Sequence, residues 1–249
     1  MPKFFITDYE LIVGNTAYIV GEDAKHIKKV LRMKPEEKLN VCDGRGKDFI
    51  ARINMLESDA VLIDIVSESG KNGEPKLKVN IFTAITKGEG FEYSIQKCVE
   101  AGAHSIIPLN TERTVVSIPD SKIDKRNERW NKIAEGASKQ SGRSLIPNVS
   151  YPVDLKGALN MIKDSDLTII CYVDEGTLSI KDVFEEHRDA EVINVFIGPE
   201  GGFTKKEWES AVQKGALSVT LGKRILKAET AGLFVTAASM YEYGELDKK

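Results

Sequence analysis

The chain has 249 residues, of which 41% are hydrophobic and 29% are charged. This composition is typical of a folded protein with one large or two modest domains, and it excludes disordered, collagen-like and disulfide-scaffold classes. The formal net charge of -3 is an average that argues against a phosphate-rich partner, since phosphate binding requires concentrated Lys and Arg.

Targeting and metal-binding patterns are missing from the sequence. No positively charged cap precedes a long apolar run at the N-terminus, and no apolar stretch approaches the ~18 residues that a membrane span needs. We therefore expect a cytoplasmic protein. Cys42, Cys98 and Cys171 lie far apart without a CxxC pair, and the three histidines show no ligand spacing. We expect neither a disulfide framework nor a bound metal.

The first part of the chain has the pattern of a small β-domain. Short apolar runs separated by turn signals fill residues 1 to about 68, with a turn at residues 43–46. Between the strands, apolar residues Ile27, Val30 and Leu31 recur at helical spacing beside a strongly basic face. The pattern predicts a β-barrel with one helix.

A polar stretch with Gly and Pro follows at residues 67–75, and its composition is typical of a linker. We therefore predict one domain over residues 1–70 and a second over residues 74–249. In the second domain strands alternate with helices, which predicts an α/β fold with a mainly parallel sheet covered on both faces.

Five apolar segments of the second domain read as strands. They are Lys78 to Ile85, Ser105 to Leu109, Leu167 to Val173, Val192 to Ile197 and Ser218 to Leu221. Apolar stripes predict a helix that ends at Gly102, another that contains Trp130, and a last helix from Glu229 to about Tyr243.

Residues 197–204, IGPEGGFT, follow an apolar strand and precede a helix that opens with a capping box of Thr204 and Glu207. They therefore lie at the carboxyl edge of the sheet, where ligands bind in α/β folds. Neither GxGxxG nor a P-loop ending in GK[ST] is present, and Glu200 would repel a phosphate. The ligand is then not a polyphosphate. An ordinary glycine-rich turn is the alternative for this segment alone.

A second predicted strand ends in residues 221–231, LGKRILKAETA, where irregular backbone with Lys223, Arg224 and Lys227 runs into an apolar helix. The simplest interpretation treats these side chains as solvated surface. Glu229 would then be an acidic residue of the first helical turn, which the helix dipole favours.

Together these two segments resemble the SPOUT class of S-adenosylmethionine-dependent RNA methyltransferases, and within it the RsmE family. Further matches are HIKKVLRMK, DGRGKDF, KGEGFEYSIQKCVEAGA and RWNKIAEGASKQSGR, so that the resemblance spans nearly the whole chain. It implies a C-terminal SPOUT α/β domain with a deep trefoil knot and a small N-terminal PUA-like β-barrel. It also implies a homodimer that methylates N3 of a uridine in 16S ribosomal RNA of the small subunit.

The resemblance further implies a cofactor pocket for S-adenosylmethionine. Its residues would be Gly198, Glu200, Gly201, Gly202, Leu221, Gly222, Arg224, Ile225 and Leu226. Leu, Ile and Gly suit the flat adenine ring, and an acidic neighbour is compatible with the cationic methyl sulfonium. The sequence departs from the family at Lys3, usually Arg, at Glu36, usually Gly, and at Ala101, usually Leu.

For catalysis we predict Arg113, Arg224 and Glu229. A guanidinium near uracil O2 or O4 would stabilise the anion that develops when N3 loses its proton. Glu229 would accept that proton or orient an arginine.

Basic residues are not evenly distributed along the chain, although its net charge is negative. Residues 21–52 carry a net charge of +3 and residues 122–143 a net charge of +4. A solvated surface is the alternative for each stretch, but two excesses in one chain favour RNA binding. The predicted RNA-binding residues are Lys3, His26, Lys29, Arg32, Arg45, Lys139 and Arg143.

Two other functions stay open from the sequence. One is a SPOUT methyltransferase acting on another RNA, such as a transfer RNA or the large ribosomal subunit. The other is a non-catalytic RNA-binding protein of ribosome assembly, for which the loss of glycines in the two segments would have been the signature. Those glycines are intact.

Overall fold

The computed structural model describes residues 3–6, 15–70, 73–162, 165–172 and 177–246. The chain divides into two compact units. The first comprises residues 1–74 and 138–146, and the second comprises residues 75–137 and 147–249. The sequence-based division at residues 70–74 did not place residues 138–146 with the first part. Residues 71 and 72 of the predicted linker lie outside the described residues.

The first unit contains a five-stranded sheet in the order β1-β3-β4-β5-β2 within the described residues. Its strands are β1 (Lys3–Phe5), β2 (Thr16–Val20), β3 (Lys38–Cys42), β4 (Asp48–Leu56) and β5 (Ala60–Ser69). The pairs are antiparallel except β1 with β3, which is parallel. Alternate strand residues such as Ile19, Val41, Ile53 and Ile63 form the buried core.

The helical segment of this unit differs from the expected single helix. A short helix α1 (Gly21–Lys25) continues into a π-helical turn (His26–Val30), in which the Leu31 amide donates to the His26 carbonyl at 3.0 Å. The wider turn changes which residues share a face. Ile27 is buried, but Val30 is 65% exposed and Leu31 is 37% exposed. The predicted apolar face therefore fails at these two residues.

The second unit contains an eight-stranded sheet with the path β11-β13-β10-β12-β6-β7-β8, to which β9 adds by pairing with β7. The strands are β6 (Lys78–Ala84), β7 (Ser105–Asn110), β8 (Asn148–Val149), β9 (Val153–Asp154), β10 (Leu167–Cys171), β11 (Leu178–Ser179), β12 (Val192–Ile197) and β13 (Leu217–Thr220). Every described pair is parallel, which confirms the predicted parallel sheet. Val173, the last residue of one predicted strand, lies outside the described residues.

Helices cover both faces of this sheet. They are α2 (Gly90–Ala101), α3 (Asp120–Ser141), α4 (Leu155–Met161), α5 (Ile180–Glu186), α6 (Lys205–Gln213) and α7 (Ala228–Glu242). Neighbouring strand residues point to opposite faces. Ile81 packs with α2 and α7 in one core cluster, whereas Phe82 packs with α4 and α6 in another and stacks on Phe196 at 4.5 Å between ring centroids.

The helices α2 and α7 pack closely. A Cβ atom at Gly232 of α7 would lie 2.9 Å from Cys98 Sγ and 3.3 Å from Ser94 Oγ of α2, so only glycine fits there without a shift. Among the described residues, no helix has both the length and the apolar character required to cross a membrane.

Candidate functional site

The two segments singled out in the sequence lie at the same edge of the parallel sheet. We call residues 198–204, which follow β12, the first loop, and residues 221–227, which follow β13, the second loop. The strand β10 pairs with β12 on one side and with β13 on the other, all in parallel. One strand therefore separates the starts of the loops, a distance of about 10 Å.

The first loop folds back on itself. The Gly202 amide donates to the Pro199 carbonyl at 2.8 Å, and Gly202 has a φ of 68°, which favours glycine. A Cβ atom at Gly198 would lie 3.1 Å from the Phe203 amide nitrogen and 3.2 Å from the Gly202 carbonyl carbon. The loop therefore forms a compact backbone shell that requires glycine at its first residue.

The helix α6 begins where the first loop ends, and the predicted capping box is confirmed. The Glu207 amide donates to Thr204 Oγ1 at 3.3 Å, and the Thr204 amide donates to Glu207 Oε2 at 2.7 Å. Glu207 is only 6% exposed, and its other oxygen, Oε1, accepts the Glu112 amide at 2.8 Å. The second contact was not predicted, because the spacing of a capping box carries no information about a partner ninety-five residues away.

Arg113 is the predicted catalytic residue that contacts the first loop directly. It follows β7, and its Nη1 donates to the Gly201 carbonyl at 2.7 Å and approaches the Phe203 carbonyl at 3.5 Å. A Cβ atom at Gly201 would lie 3.4 Å from Arg113 Cδ, so the aliphatic part of the arginine lies against the loop. The structure therefore brings together an arginine and the predicted cofactor residues.

The second loop is far more open. Leu221 and Leu226 are half-buried and pack against the core of the second unit. Gly222 has a φ of 101°, and Arg224 is exposed, as is Ile225 at 99%. The two leucines hold the ends of the loop, whereas the residues between them point into solvent and present an arginine and an apolar side chain.

Glu229 lies in the first turn of α7 and is half-buried. Its Oε2 lies 3.7 Å from the point that a Cβ atom of Gly90 would occupy, at the start of α2. Thr86 Oγ1 lies 2.7 Å from the same point and is buried without a hydrogen-bond partner among the described residues. Glu229 thus stands beside the carboxyl end of β6, where the sequence had pointed to neither Thr86 nor Gly90.

Comparisons with known proteins identify the family to which the chain belongs. The family model described as RNA methyltransferase domain matches residues 73–240, and the model described as RNA methyltransferase PUA domain matches residues 19–66. The ribosomal RNA small subunit methyltransferase E of Bacillus subtilis is 31% identical, over 97% of this chain and 97% of its own length. The chain belongs to the RsmE family of RNA methyltransferases.

Two further relatives support the assignment of the RsmE family. The ribosomal RNA small subunit methyltransferase E of Mesomycoplasma hyopneumoniae is 31% identical, over 94% of this chain and 97% of its own. A crystal structure of the same enzyme from Neisseria gonorrhoeae bound to S-adenosyl methionine superimposes with a TM-score of 0.84. That chain is 32% identical, and the match covers 97% of each chain.

The first unit contains all the residues that match the PUA model, and it places the predicted RNA-binding residues in two environments. His26, Lys29, Arg32 and Arg45 are exposed. Arg32 follows the π-helical turn with a φ of 53°, a conformation that a non-glycine residue rarely adopts.

The other three predicted RNA-binding residues pair with carboxylates inside the first unit. Lys3 Nζ lies 2.8 Å from Asp48, and Lys139 Nζ lies 2.9 Å from Asp23. Arg143 is 6% exposed and lies 2.7 Å from Glu74, whose other oxygen accepts two backbone amides. The ion pairs of Lys139 and Arg143 hold residues 138–146 in the unit. RNA contact by Lys3, Lys139 and Arg143 stays a prediction.

The thiols near the site are held in their neutral form. Burial raises the pKa of Cys98 on α2 to about 11 and that of Cys171 at the end of β10 to about 12. A protonated thiol is a poor nucleophile and a poor metal ligand at neutral pH. Among the described residues, no group of three His, Cys, Asp or Glu side chains is placed to hold a metal ion.

Proposed function

We propose that this member of the RsmE family transfers a methyl group from S-adenosylmethionine to N3 of a uridine in 16S ribosomal RNA of the small subunit. The observation that carries the proposal is the position of Arg113 on the first loop, at the edge where both predicted cofactor loops meet. Family membership and the S-adenosyl methionine-bound relative support the same cofactor here.

The residues at the edge fit the cofactor. The crowded backbone at Gly198, with Gly201 and Gly202, offers amides and carbonyls for the hydrogen bonds that an adenine ring requires. Leu221 and Leu226 supply apolar surface. The full predicted set is Gly198, Glu200, Gly201, Gly202, Leu221, Gly222, Arg224, Ile225 and Leu226. S-adenosylmethionine, when bound, supplies the electrophilic methyl group.

Residues of this chain would accept the proton of the uracil and stabilise the negative charge that its loss leaves. The N3 proton would pass to the Glu229 carboxylate, and the N3 electron pair would form the new bond to the methyl carbon. The carbon–sulfur bond of the sulfonium would break, with its electron pair left on the sulfur of the departing neutral thioether. The guanidinium groups of Arg113 and Arg224 would lie near O2 and O4, where negative charge develops as the proton leaves. Arg113 is already oriented by its bond to the Gly201 carbonyl.

The proposal extends to the whole molecule. Residues 1–70 would form a PUA-like β-barrel. The residues that would bind RNA are Lys3, His26, Lys29, Arg32 and Arg45 of this barrel, together with Lys139 and Arg143. Residues 74–249 would form a SPOUT domain with a deep trefoil knot, acting as a homodimer in the cytoplasm without a metal. The local excess of basic residues over residues 21–52 and 122–143 supports RNA binding.

A labelling assay tests the function. The protein is incubated with labelled S-adenosylmethionine and either 16S RNA or small subunits from a strain that lacks the modification, and the methylated base is mapped. We expect label on N3 of one uridine. Label on a transfer RNA or on the large subunit would favour the first alternative, and RNA binding without label would favour a non-catalytic assembly factor.

Two controls sharpen the assay. Glu229→Gln keeps the shape of the side chain but cannot accept the proton, so turnover at saturating cofactor should fall, and unchanged turnover would remove Glu229 as the base. RNA binding should weaken steeply with added salt because phosphate contacts release counterions. A flat salt response would contradict the proposed RNA surface.

A further inference from the structure

The carboxylate of Glu207 does more than cap α6. A capping box needs one carboxylate oxygen for the amide of the capping residue, and Oε2 fulfils this role with Thr204. Oε1 is used differently, since it accepts the amide of Glu112, which belongs to the segment that follows β7. The caps of α4 and α5 each use one oxygen within the part of the chain that the structure describes: Asp154 Oδ1 accepts the Gly157 amide, and Ser179 Oγ accepts the Asp182 amide.

The segment that Glu207 reaches is a tight turn with Arg113 at its centre. The Thr114 amide donates to the Thr111 carbonyl at 3.0 Å, and the Thr111 amide donates to Thr114 Oγ1 at 2.9 Å. Glu112 and Arg113 are the two central residues of this turn. The Glu112 amide is therefore the point at which Glu207 can fix the turn that carries Arg113.

These hydrogen bonds connect α6, the Arg113 turn and the first loop in a closed ring. Glu207 holds the end of the first loop through the Thr204 amide and holds the Arg113 turn through the Glu112 amide. Arg113 closes the ring by donating to the Gly201 carbonyl of the same loop. Because the carboxylate is 6% exposed, water competes little for its two bonds. Movement of the turn would therefore break a partly buried, charge-assisted hydrogen bond.

We infer that Glu207 is a positioning residue, which sets the guanidinium of Arg113 against the first loop before substrate binds. The inference rests on the proposed function, since it concerns the reaction that Arg113 serves. A neutral side chain of the same shape cannot replace Glu207. In Glu207→Gln the amide side chain would have one acceptor oxygen for two amide donors, and its own NH2 group would face one of them.

The test compares Glu207→Gln with Ser179→Ala. The Ser179→Ala variant removes the hydroxyl that caps α5, to which the Asp182 amide donates at 3.1 Å, and it leaves both bonds of the Glu207 carboxylate in place. Both variants should lower the melting temperature. At saturating cofactor and RNA, we expect the single-turnover methylation rate to fall about 10- to 100-fold only in Glu207→Gln, since small misplacement of a catalytic group has effects of this size. Equal rates in the two variants would overturn the inference.

A double-mutant cycle with Arg113→Ala separates positioning from general damage. If Glu207 acts through Arg113, Glu207→Gln should cause little further loss in the Arg113→Ala background. Losses that multiply would show that Glu207 acts independently and would overturn the inference. A wild-type protein without methylation activity would overturn both this inference and the proposed function. An active wild type with multiplicative losses would overturn this inference alone.

Discussion

The two loops at the carboxyl edge are built in opposite ways. The first loop is held from outside itself, by Arg113 on one side and by Glu207 at its end. The second loop is anchored by Leu221 and Leu226, and Ile225 between them is 99% exposed. We propose that the two loops would bind a ligand differently. The first loop would offer a backbone of fixed shape, and the second would offer exposed side chains.

The largest effect is expected at the backbone of the first loop. Gly198→Ala places a methyl group 3.1 Å from the Phe203 amide nitrogen, so the backbone of the loop must shift by a few tenths of an ångström. We expect the affinity for S-adenosylmethionine to fall roughly 5- to 150-fold, corresponding to an overpacking cost of about 1–3 kcal/mol. Isothermal titration calorimetry measures this change.

Gly222→Ala in the second loop is the matched control. The added methyl group meets no atom within 4 Å, and only the φ of 101° opposes it. The backbone strain of about 1–2 kcal/mol should weaken binding by a smaller factor. If both variants lose affinity equally, the proposed contrast between the two loops is wrong.

The next largest effect is expected on the free energy of unfolding, at the contact between α2 and α7, the helix that follows the second loop. Alanine normally stabilises a helix interior by ~1 kcal/mol relative to glycine. At Gly232 the methyl group would meet Cys98 Sγ at 2.9 Å, so we expect Gly232→Ala to lower the free energy of unfolding by about 1–3 kcal/mol. Gly136→Ala on α3, with no atom within 4 Å of its Cβ, should instead raise it by ~0.5–1 kcal/mol. Urea unfolding of both variants tests the opposite signs.

A smaller effect is expected at the exposed tip of the second loop. Ile225→Ser should leave the free energy of unfolding unchanged, because the side chain is 99% exposed. Burial of an isoleucine against a ligand contributes about 1.5–3 kcal/mol, so the affinity for S-adenosylmethionine should fall about 10- to 150-fold. Isothermal titration calorimetry of the variant and the wild type measures the two affinities. Unchanged affinity would mean that this loop, like the first, binds through its backbone.

The smallest effect lies outside both loops. Glycine occupies the left-handed backbone positions of the loops, but Glu36 of the first unit has a φ of 73°. Its ion pair with Arg52 at 3.1 Å is exposed, and such pairs contribute little. Glu36→Gly should therefore raise the free energy of unfolding by up to ~1 kcal/mol. A decrease in thermal unfolding experiments would show that the ion pair outweighs the strain.

Local patterns allowed much of the second unit to be predicted. Strand β12 has the bounds predicted from its apolar run, and the capping box at Thr204 follows from a three-residue spacing. The shared edge of the two loops follows from the rule that parallel strands align their carboxyl ends. These features depend on residues close together in the chain, where periodicity and side-chain chemistry carry the information.

The features that escaped prediction depend on distant partners. Residues 138–146 join the first unit because Glu74 accepts the amides of Ser144 and Leu145, a contact that no local pattern encodes. The bond from the Glu112 amide to Glu207 is of the same kind. The π-helical turn at His26–Val30 was not predicted for another reason. Over five residues, the spacing of apolar side chains does not distinguish a π-helical turn from an α-helix.

The strand order also determines when the molecule can fold during synthesis. Strands β6 and β12 pair directly although β7 to β11 lie between them in the chain. A nascent chain thus leaves one backbone edge of β6 unpaired until its partner emerges, a condition that slows folding and favours association with other chains. The five strands of the first unit end at Ser69, but the unit is complete only when residue 146 has been made, and the sheet of the second unit is complete only after Thr220. Most of the chain must therefore leave the ribosome before either unit is complete.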